Sequence, residues 1–204
     1  MDMDSTLISP FARLGQAANL LGRVIRHCND TTAEIEHVLN NAELLFGTIT
    51  SLLDILATDD HASQQSFNVA TAFCLSALFK LADHHSCFQF SQNFEVAVSS
   101  RIRALMQHAL HTIEQTCEKV LLFIHQLPQH DREPCTNISP FHIHCIYSCA
   151  ANFAWMASET GSPEYAAAKL SCQSMLQSIK GRWKSAGVYI ELLRLADASF
   201  SEEL

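Results

Sequence analysis

Apolar residues recur at steps of three and four along almost the whole chain, and this period limits the fold more than any other feature. Side chains three and four positions apart lie on one face of an α-helix, so each such stretch predicts a helix with one buried side. Glycine and proline, which interrupt helices, number only six and five among 204 residues. We therefore expect long helices joined by few turns, and hairpin-rich β-architectures are disfavoured.

Six or seven helical segments follow from this period and from the residues that start and stop helices. Ser9 and Pro10 suit the cap and first position of the first helix. Its predicted apolar face consists of Phe11, Leu14, Ala18, Leu21, Ile25 and Cys28. Residues 66–84 are apolar nearly all round, which predicts a central helix. The sequence thus predicts one all-α domain over residues 1–198, a bundle of six to seven helices, followed by a frayed tail at 199–204.

The remaining boundaries come from helix-breaking residues and polar runs. The second helix is predicted to start at Thr31 or Thr32 and to stop before the polar run 58–65. The next predicted segments are 94–127, 139–158 and 163–180, with the turn between the last two marked by Gly161. A last helix carries Trp183 and the apolar residues that follow it.

The charge of the chain argues against some classes of partner. The formal net charge is -8, so binding of nucleic acid through a broad basic face is not expected. Residues 1–100 hold 4 basic and 11 acidic side chains, which indicates a solvated acidic surface or an acidic contact face for a basic partner. No apolar run is long enough for a membrane span, and no secretory signal is predicted at the start.

Eight cysteines are many for a chain of this length. In a reducing compartment the main interpretation is that they fill the core as small hydrophobic side chains. The alternative is a metal or thiol site, which would draw on His142, His144, Cys145 and Cys149. Zinc requires four ligands in a tetrahedron, and the spacing here lacks the knuckle pattern of zinc fingers. The sequence predicts no metal and no cofactor.

A second grouping that carries nucleophilic side chains is His84, His85 and Cys87, expected in a loop after the central helix. A thiol with an imidazole base is a known nucleophilic pair, but nothing supplies the orienting third group. No phosphate-binding glycine loop or paired-carboxylate motif occurs. The sequence therefore predicts no enzymatic activity and no catalytic residue.

Four stretches together resemble the C-terminal part of the regulatory domain in fungal zinc-cluster transcription factors. They are 10–24, 75–87, 139–151 and 182–193. The resemblance implies an all-helical regulatory domain in a nuclear protein that controls RNA polymerase II transcription. It implies partners from the transcription machinery or a homologous factor, with a small apolar effector as a further candidate. The positions that match the family motif, expected to be structural or interface residues, are Pro140, His144, Cys145, Arg182, Trp183, Ala186 and Tyr189.

The chain departs from that family in one respect. Six cysteines that hold two zinc ions are expected in the family's DNA-binding module, whereas no CxxC pair occurs here. No metal-binding or DNA-binding residue is therefore assigned, and the chain is expected to be a separated or truncated regulatory half. The alternative hypothesis is a helical protein that senses a small molecule or binds a partner, and acts as a decoy or co-regulator. Without the resemblance, a cytoplasmic location is expected.

Overall fold

The computed structural model describes residues 9–59, 68–87, 96–127 and 138–202. Within these ranges the chain forms seven α-helices and no β-strand, which confirms the predicted all-α class. The helices are α1 (Pro10–Asn29), α2 (Ile35–Asp59), α3 (Val69–Ser86), α4 (Val96–Gln126), α5 (Pro140–Thr160), α6 (Pro163–Ile179) and α7 (Lys184–Glu202).

Local hydrogen bonds fix several of the helix ends. The Ser9 hydroxyl accepts from the Ala12 N–H at 3.2 Å and caps α1, as predicted. The Asn68 side chain accepts from the Thr71 N–H at 2.9 Å and caps α3. Gly161 ends α5 in the left-handed region (φ 66°), where a residue without Cβ is favoured. The Ser9 and Gly161 signals need no tertiary contact, which is why the sequence predicts these two ends, whereas α3 begins at Val69 rather than at the predicted 66.

Two predicted boundaries were wrong for local reasons. Helix α2 begins at Ile35 rather than at Thr31 or Thr32. The Asp30 carboxylate accepts hydrogen bonds from the Thr32 N–H at 3.0 Å and the Thr32 hydroxyl at 2.8 Å, and this turn competes with helix. Helix α3 continues to Ser86, so the loop expected after position 84 begins later.

Helix α3 lies at the centre of the bundle, as its apolar circumference predicts. It packs against α1, α2, α4 and α5. Helices α1 and α2 cover it on one side, whereas α6 and α7 pack on α5. Among its largest fully buried side chains are Leu75, Phe79 and Leu81. Each large apolar side chain removed from water stabilises the fold by roughly 1.5–3 kcal/mol, so the buried leucines and phenylalanine of this central helix contribute substantially to stability.

The buried face of α1 differs from the predicted one. Phe11 is 83% exposed and Ile25 is 44% exposed. The residues of α1 that the fold buries are Ala17, Leu20, Val24 and His27. Leu14, Leu21 and Cys28 lie at the edge of this face and pack partly against the core. The helix is therefore rotated relative to the prediction, which brings a histidine into the interior.

Polar contacts connect the outer helices to the bundle. Arg101 on α4 donates to Glu43 on α2 at 2.8 Å, and Lys169 on α6 donates to Asp197 on α7 at 2.6 Å. Residues 199–202 belong to α7, and residues 203–204 lie outside the described part, so the frayed tail stays a prediction. No described helix is long and apolar enough to cross a membrane.

Candidate functional site

Residues from three separate stretches of the resemblance meet where α5 packs against α3 and against α7. We call this place the α3–α5–α7 junction and define it by Ser76, His144, Cys145 and Tyr189. The Ser76 hydroxyl lies 3.3 Å from His144 Nδ1 and 3.3 Å from Cys145 Sγ. The His144 ring meets the Tyr189 ring edge-on with a centroid distance of 6.3 Å. The sequence did not predict this convergence, because Ser76 was singled out only as part of a stretch.

Burial decides the chemistry of the junction. Cys145 is fully buried, and burial raises the pKa of its thiol to about 12. The thiol therefore stays protonated and donates to the Ala72 carbonyl at 3.3 Å. Burial also lowers the pKa of His144, so its imidazole is neutral at neutral pH. The junction is a neutral hydrogen-bonded contact and supplies no thiolate nucleophile.

An aromatic stack extends the junction toward the surface. The rings of Tyr147 and Tyr189 lie 4.4 Å apart with an interplanar angle of 13°. Burial raises the pKa of Tyr189, so its phenol is also neutral. Ala186, one turn earlier on α7, is fully buried, which is consistent with a small residue at a close helix contact. Aromatic pairs of this kind contribute about 1 kcal/mol beyond their area burial.

The other predicted motif residues lie apart from these hydrogen bonds. Pro140 is the first residue of α5 and is exposed. Arg182 is exposed in the turn between α6 and α7, where its N–H donates to the Ile179 carbonyl at 3.0 Å. Trp183 packs partly against the core, and its buried indole nitrogen has no hydrogen-bond partner among the described residues.

The four side chains of the metal alternative do not assemble into one ligand set. His142 Nδ1 accepts from the Ser139 N–H at 3.0 Å at the start of α5, and Cys145 faces Ser76. Cys149 points instead toward α4 and α6. Within the described ranges, no group of three or more His, Cys, Asp or Glu side chains is placed to hold a metal ion.

Three fully buried cysteines form a second feature, which we call the cysteine cluster: Cys117 on α4, Cys149 on α5 and Cys172 on α6. The sulfur atoms of Cys149 and Cys172 lie 3.7 Å apart, and the Cys149 thiol donates to the Cys117 carbonyl at 3.5 Å. Burial raises the pKa of Cys149 well above its ordinary value, and the neighbouring thiols raise it further. The cluster packs the core between three helices, as the main interpretation of the cysteines predicts.

A third feature, the histidine cluster, was not predicted. It consists of His27 on α1, Asn41 on α2 and His85 on α3. The Nε2 atoms of His27 and His85 lie 2.9 Å apart, and His27 Nδ1 lies 3.1 Å from the Asn41 amide nitrogen. Because that amide nitrogen donates, His27 Nδ1 accepts, and the proton between the two imidazoles belongs to His27 Nε2.

The prediction that His84 and His85 lie in a loop was wrong. His84 and His85 occupy the last turn of α3, and His85 is only 1% exposed. Since His85 Nε2 accepts, its Nδ1 carries the proton and has no hydrogen-bond partner among the described residues. Burial lowers the pKa of His85 to about 3, with further lowering from His84 and His27. Burial also lowers the pKa of His27.

A comparison with curated proteins finds a relative that matches part of the chain. The protein named botcinic acid biosynthesis cluster B protein 14, from Botryotinia fuckeliana (strain B05.10), is 65% identical to this chain over 52 residues. That stretch makes up 26% of this chain and 91% of the matched protein. No model of a known protein family matches the chain, and no solved structure matches it.

Proposed function

Because the chain belongs to the same protein family as botcinic acid biosynthesis cluster B protein 14, we propose that it regulates the transcription of a fungal biosynthetic gene cluster. In this proposal it acts in the nucleus as a helical interaction domain, through protein partners of the RNA polymerase II machinery or a homologous factor. It binds DNA only through such a partner. The relative's name supplies the link to a biosynthetic gene cluster, and the resemblance to zinc-cluster regulatory domains supplies the link to transcription.

The convergence at the α3–α5–α7 junction is the observation that carries the proposal. Ser76, His144 and Tyr189 come from three stretches that resemble the regulatory domain. His144 contacts both Ser76, which lies 68 positions before it in the sequence, and Tyr189, which lies 45 positions after it. Helix α5 packs against both α3 and α7, so the three stretches form one contiguous part of the bundle. A regulatory domain built from these stretches requires such a contiguous unit, and this supports the proposal.

The chemistry of the junction favours recognition over catalysis. A thiol whose pKa is raised to about 12 and a neutral, half-buried imidazole are suited to fixing the mutual position of helices. The exposed face of α7 beside the junction carries Val188 (59% exposed) and Leu192 (43% exposed). A helix held rigidly with apolar residues outward is a suitable surface for a protein partner.

Two measurements test the proposal. Deletion of the gene in its host is expected to change the transcript levels of neighbouring biosynthetic genes several-fold, measured by RNA sequencing. Fusion of the full chain to an unrelated DNA-binding domain is expected to change expression of a reporter gene. If both the transcripts and the reporter stay unchanged under inducing and non-inducing conditions, the proposal is wrong.

A pair of tyrosine variants separates a role of the junction from general stability. Tyr189→Ala removes the stack with Tyr147, whereas Tyr165→Ala removes another half-buried tyrosine, which donates to Glu114 at 3.0 Å. We expect Tyr189→Ala to abolish the reporter effect and Tyr165→Ala to retain it, at equal protein levels and equal helicity by circular dichroism. Equal loss in both variants would contradict a specific role of the junction.

A further inference from the structure

A groove follows the line between α1 and α2. Two adjoining concavities of about 640 and 350 Å³ lie along it, and Asn19 lines both. The larger one is bordered by the first half of α1 and the second half of α2, and the smaller one by the opposite halves. This is the order expected for an antiparallel pair of helices. At 1.5 Å per residue, the groove extends for about 25 Å along α1, which is the length of a helix of about 17 residues.

The charge of this groove is opposite to that of the protein. Helix α1 carries Arg13, Arg23 and Arg26 and no Asp or Glu, although the chain as a whole has a net charge of -8. All three arginines line the groove, and the only carboxylate among its lining residues is Asp30. The Asp30 carboxylate already accepts two hydrogen bonds from Thr32. A local positive groove therefore lies within the more acidic half of the chain.

Two of these arginines are available to a partner. Arg23 is half-buried and Arg26 is exposed, and neither forms an ion pair with another residue of the described ranges. They lie one turn apart, so their guanidinium groups are spaced like acidic residues at i and i+3 or i+4 on a second helix. His37 lines the same part of the groove. An anionic partner here meets the guanidinium groups of Arg23 and Arg26.

The other end of the groove holds its apolar lining. Ala12, Leu20, Leu52 and Ile55 lie there beside polar side chains, and Ile55 is 40% exposed. The polar residues that line this end are Arg13, Gln16, Asn19, Thr48 and Ser51. Gly15 also lines this end, and a Cβ added there would meet no atom within 4 Å, so an apolar side chain from a partner can approach the helix backbones closely. The groove thus has one end with apolar side chains and another end with the arginine pair Arg23 and Arg26.

We propose that the α1–α2 groove binds a helix of a partner protein whose two halves differ, with apolar side chains toward the Leu52–Ile55 end and carboxylates toward the Arg23–Arg26 end. Binding of a helix in a groove explains the length, and charge complementarity explains why the cations gather on α1. The inference concerns binding alone, so it does not depend on the regulatory function proposed above.

A fluorescence-polarisation titration tests it with a labelled 17-residue helical peptide, leucines in one half and glutamates in the other. The purified full chain is expected to bind this peptide saturably, with an affinity that falls as salt is raised. The control peptide has lysine in place of every glutamate and is expected not to bind. Failure of the acidic peptide to bind, or equal binding of the basic peptide, overturns the proposal.

Matched charge reversals locate the cationic end. Arg23→Glu with Arg26→Glu is expected to weaken binding by at least about tenfold, because it replaces attraction with repulsion. Arg103→Glu with Lys119→Glu makes the same change in net charge at two exposed positions of α4 and is expected to weaken binding less than about threefold. Equal weakening in the two variants means that only the overall charge matters, and the proposal is then wrong.

Matched apolar substitutions locate the other end. Ile55→Gln is expected to weaken binding about fivefold, whereas Leu110→Gln on α4, at 38% exposure, leaves it unchanged. Circular dichroism of each variant confirms that the helices are intact. Two results would assign the groove to another occupant and overturn the proposal: saturable binding of decanoate without peptide binding, or a dimer in sedimentation that Arg23→Glu with Arg26→Glu dissociates.

Discussion

The histidine cluster and the cysteine cluster place soft or polar side chains in the same hydrophobic core, but different forces hold them. In the histidine cluster, two directional hydrogen bonds connect α2, α1 and α3, and His85 Nδ1 has no partner within the described ranges. In the cysteine cluster, a sulfur–sulfur contact of 3.7 Å and two weak thiol–carbonyl contacts of 3.5 and 4.0 Å connect α4, α5 and α6. The first arrangement depends on hydrogen bonds between imidazoles and on pH, whereas the second behaves mainly as hydrophobic packing.

The difference shows that burial alone does not decide how a side chain contributes to stability. An imidazole has a pKa near neutrality in water, so burial moves its titration across the physiological range. A thiol has a pKa above neutrality, and burial only moves its titration further away. The contribution of the α1–α3 interface to stability is therefore expected to depend on pH below neutrality, whereas that of the α4–α5–α6 interface is expected not to.

Removal of His27 is expected to have the largest effect. His27→Ala leaves a cavity and deprives both His85 Nε2 and the Asn41 amide of their partner. Together these losses are expected to lower the free energy of unfolding by about 3 kcal/mol, measured by urea denaturation at pH 7.5. The exposed His125 provides the control, since His125→Ala is expected to change the free energy by less than about 0.5 kcal/mol. Equal effects of the two substitutions would mean that the histidine cluster contributes nothing.

The pH dependence of stability is expected to come next in size. The unfolded chain takes up a proton at His85 near pH 6.5, whereas the folded chain does so only near its lowered pKa of about 3. Acid therefore favours the unfolded state, and this contribution to stability, complete above pH 6.5, is lost as the pH falls toward 3. Between pH 7.5 and 5 the expected loss from His85 is about 2 kcal/mol, and His27 adds to it in the same direction.

A histidine-to-glutamine pair checks this origin. His85→Gln keeps a side chain that accepts the His27 proton but does not titrate. The part of the pH dependence of the unfolding free energy that comes from His85 is therefore expected to disappear, while His27, His84 and His144, whose pKa values burial also lowers, keep theirs. His125→Gln removes an exposed histidine and is expected to leave the slope unchanged. An unchanged slope in His85→Gln would contradict the assignment.

A smaller effect is expected for the cysteine cluster. Cys149→Ala removes one buried sulfur atom and is expected to lower the free energy of unfolding by about 1 kcal/mol. The loss is expected to be the same at pH 7.5 and pH 5, because a thiol with a raised pKa does not titrate in that range. A loss that differs by more than about 0.5 kcal/mol between the two pH values would remove the distinction between the clusters.

The sequence predicts the helices well because their signals are local. The apolar circumference of α3, the Ser9 cap and the Gly161 stop need no information from elsewhere in the chain. The orientation of α1 was not predicted, because two apolar rows lie side by side on it. Ala17, Leu20 and Val24 form the buried row, whereas the predicted row, one position later, also contained exposed Ile25. Only the packing partner α3 decides between them.

The histidine cluster and the α1–α2 groove could not be predicted from the sequence for a related reason. His27 and His85 lie 58 positions apart, and the polar run Asp83–Ser86 looks like a surface loop until α3 is known to continue through it. The one available signal was that His27 lies one turn after Val24 on the same face of α1. The prediction placed a different face of α1 in the core, so this signal was missed. The motif residues His144 and Tyr189 were found by resemblance, but their contact through α5 and α7 required the fold.

The smallest effect concerns the reactivity of the cysteine cluster toward a thiol reagent. Only thiolates react with Ellman's reagent at an appreciable rate, and burial raises the pKa of both Cys74 and Cys145 to about 12. Because burial also keeps the reagent away from the sulfur atoms, the five described cysteines that are buried are expected to react only after denaturation, while exposed Cys87 reacts at once. Cys87→Ser is expected to remove a fast phase and Cys145→Ser to leave the fast phases unchanged, with no change in fold. Rapid reaction at Cys149 or Cys172 in the native protein would mean that the α4–α5–α6 interface opens readily. The cysteine cluster would then not be ordinary core packing, and the contrast with the histidine cluster would be wrong.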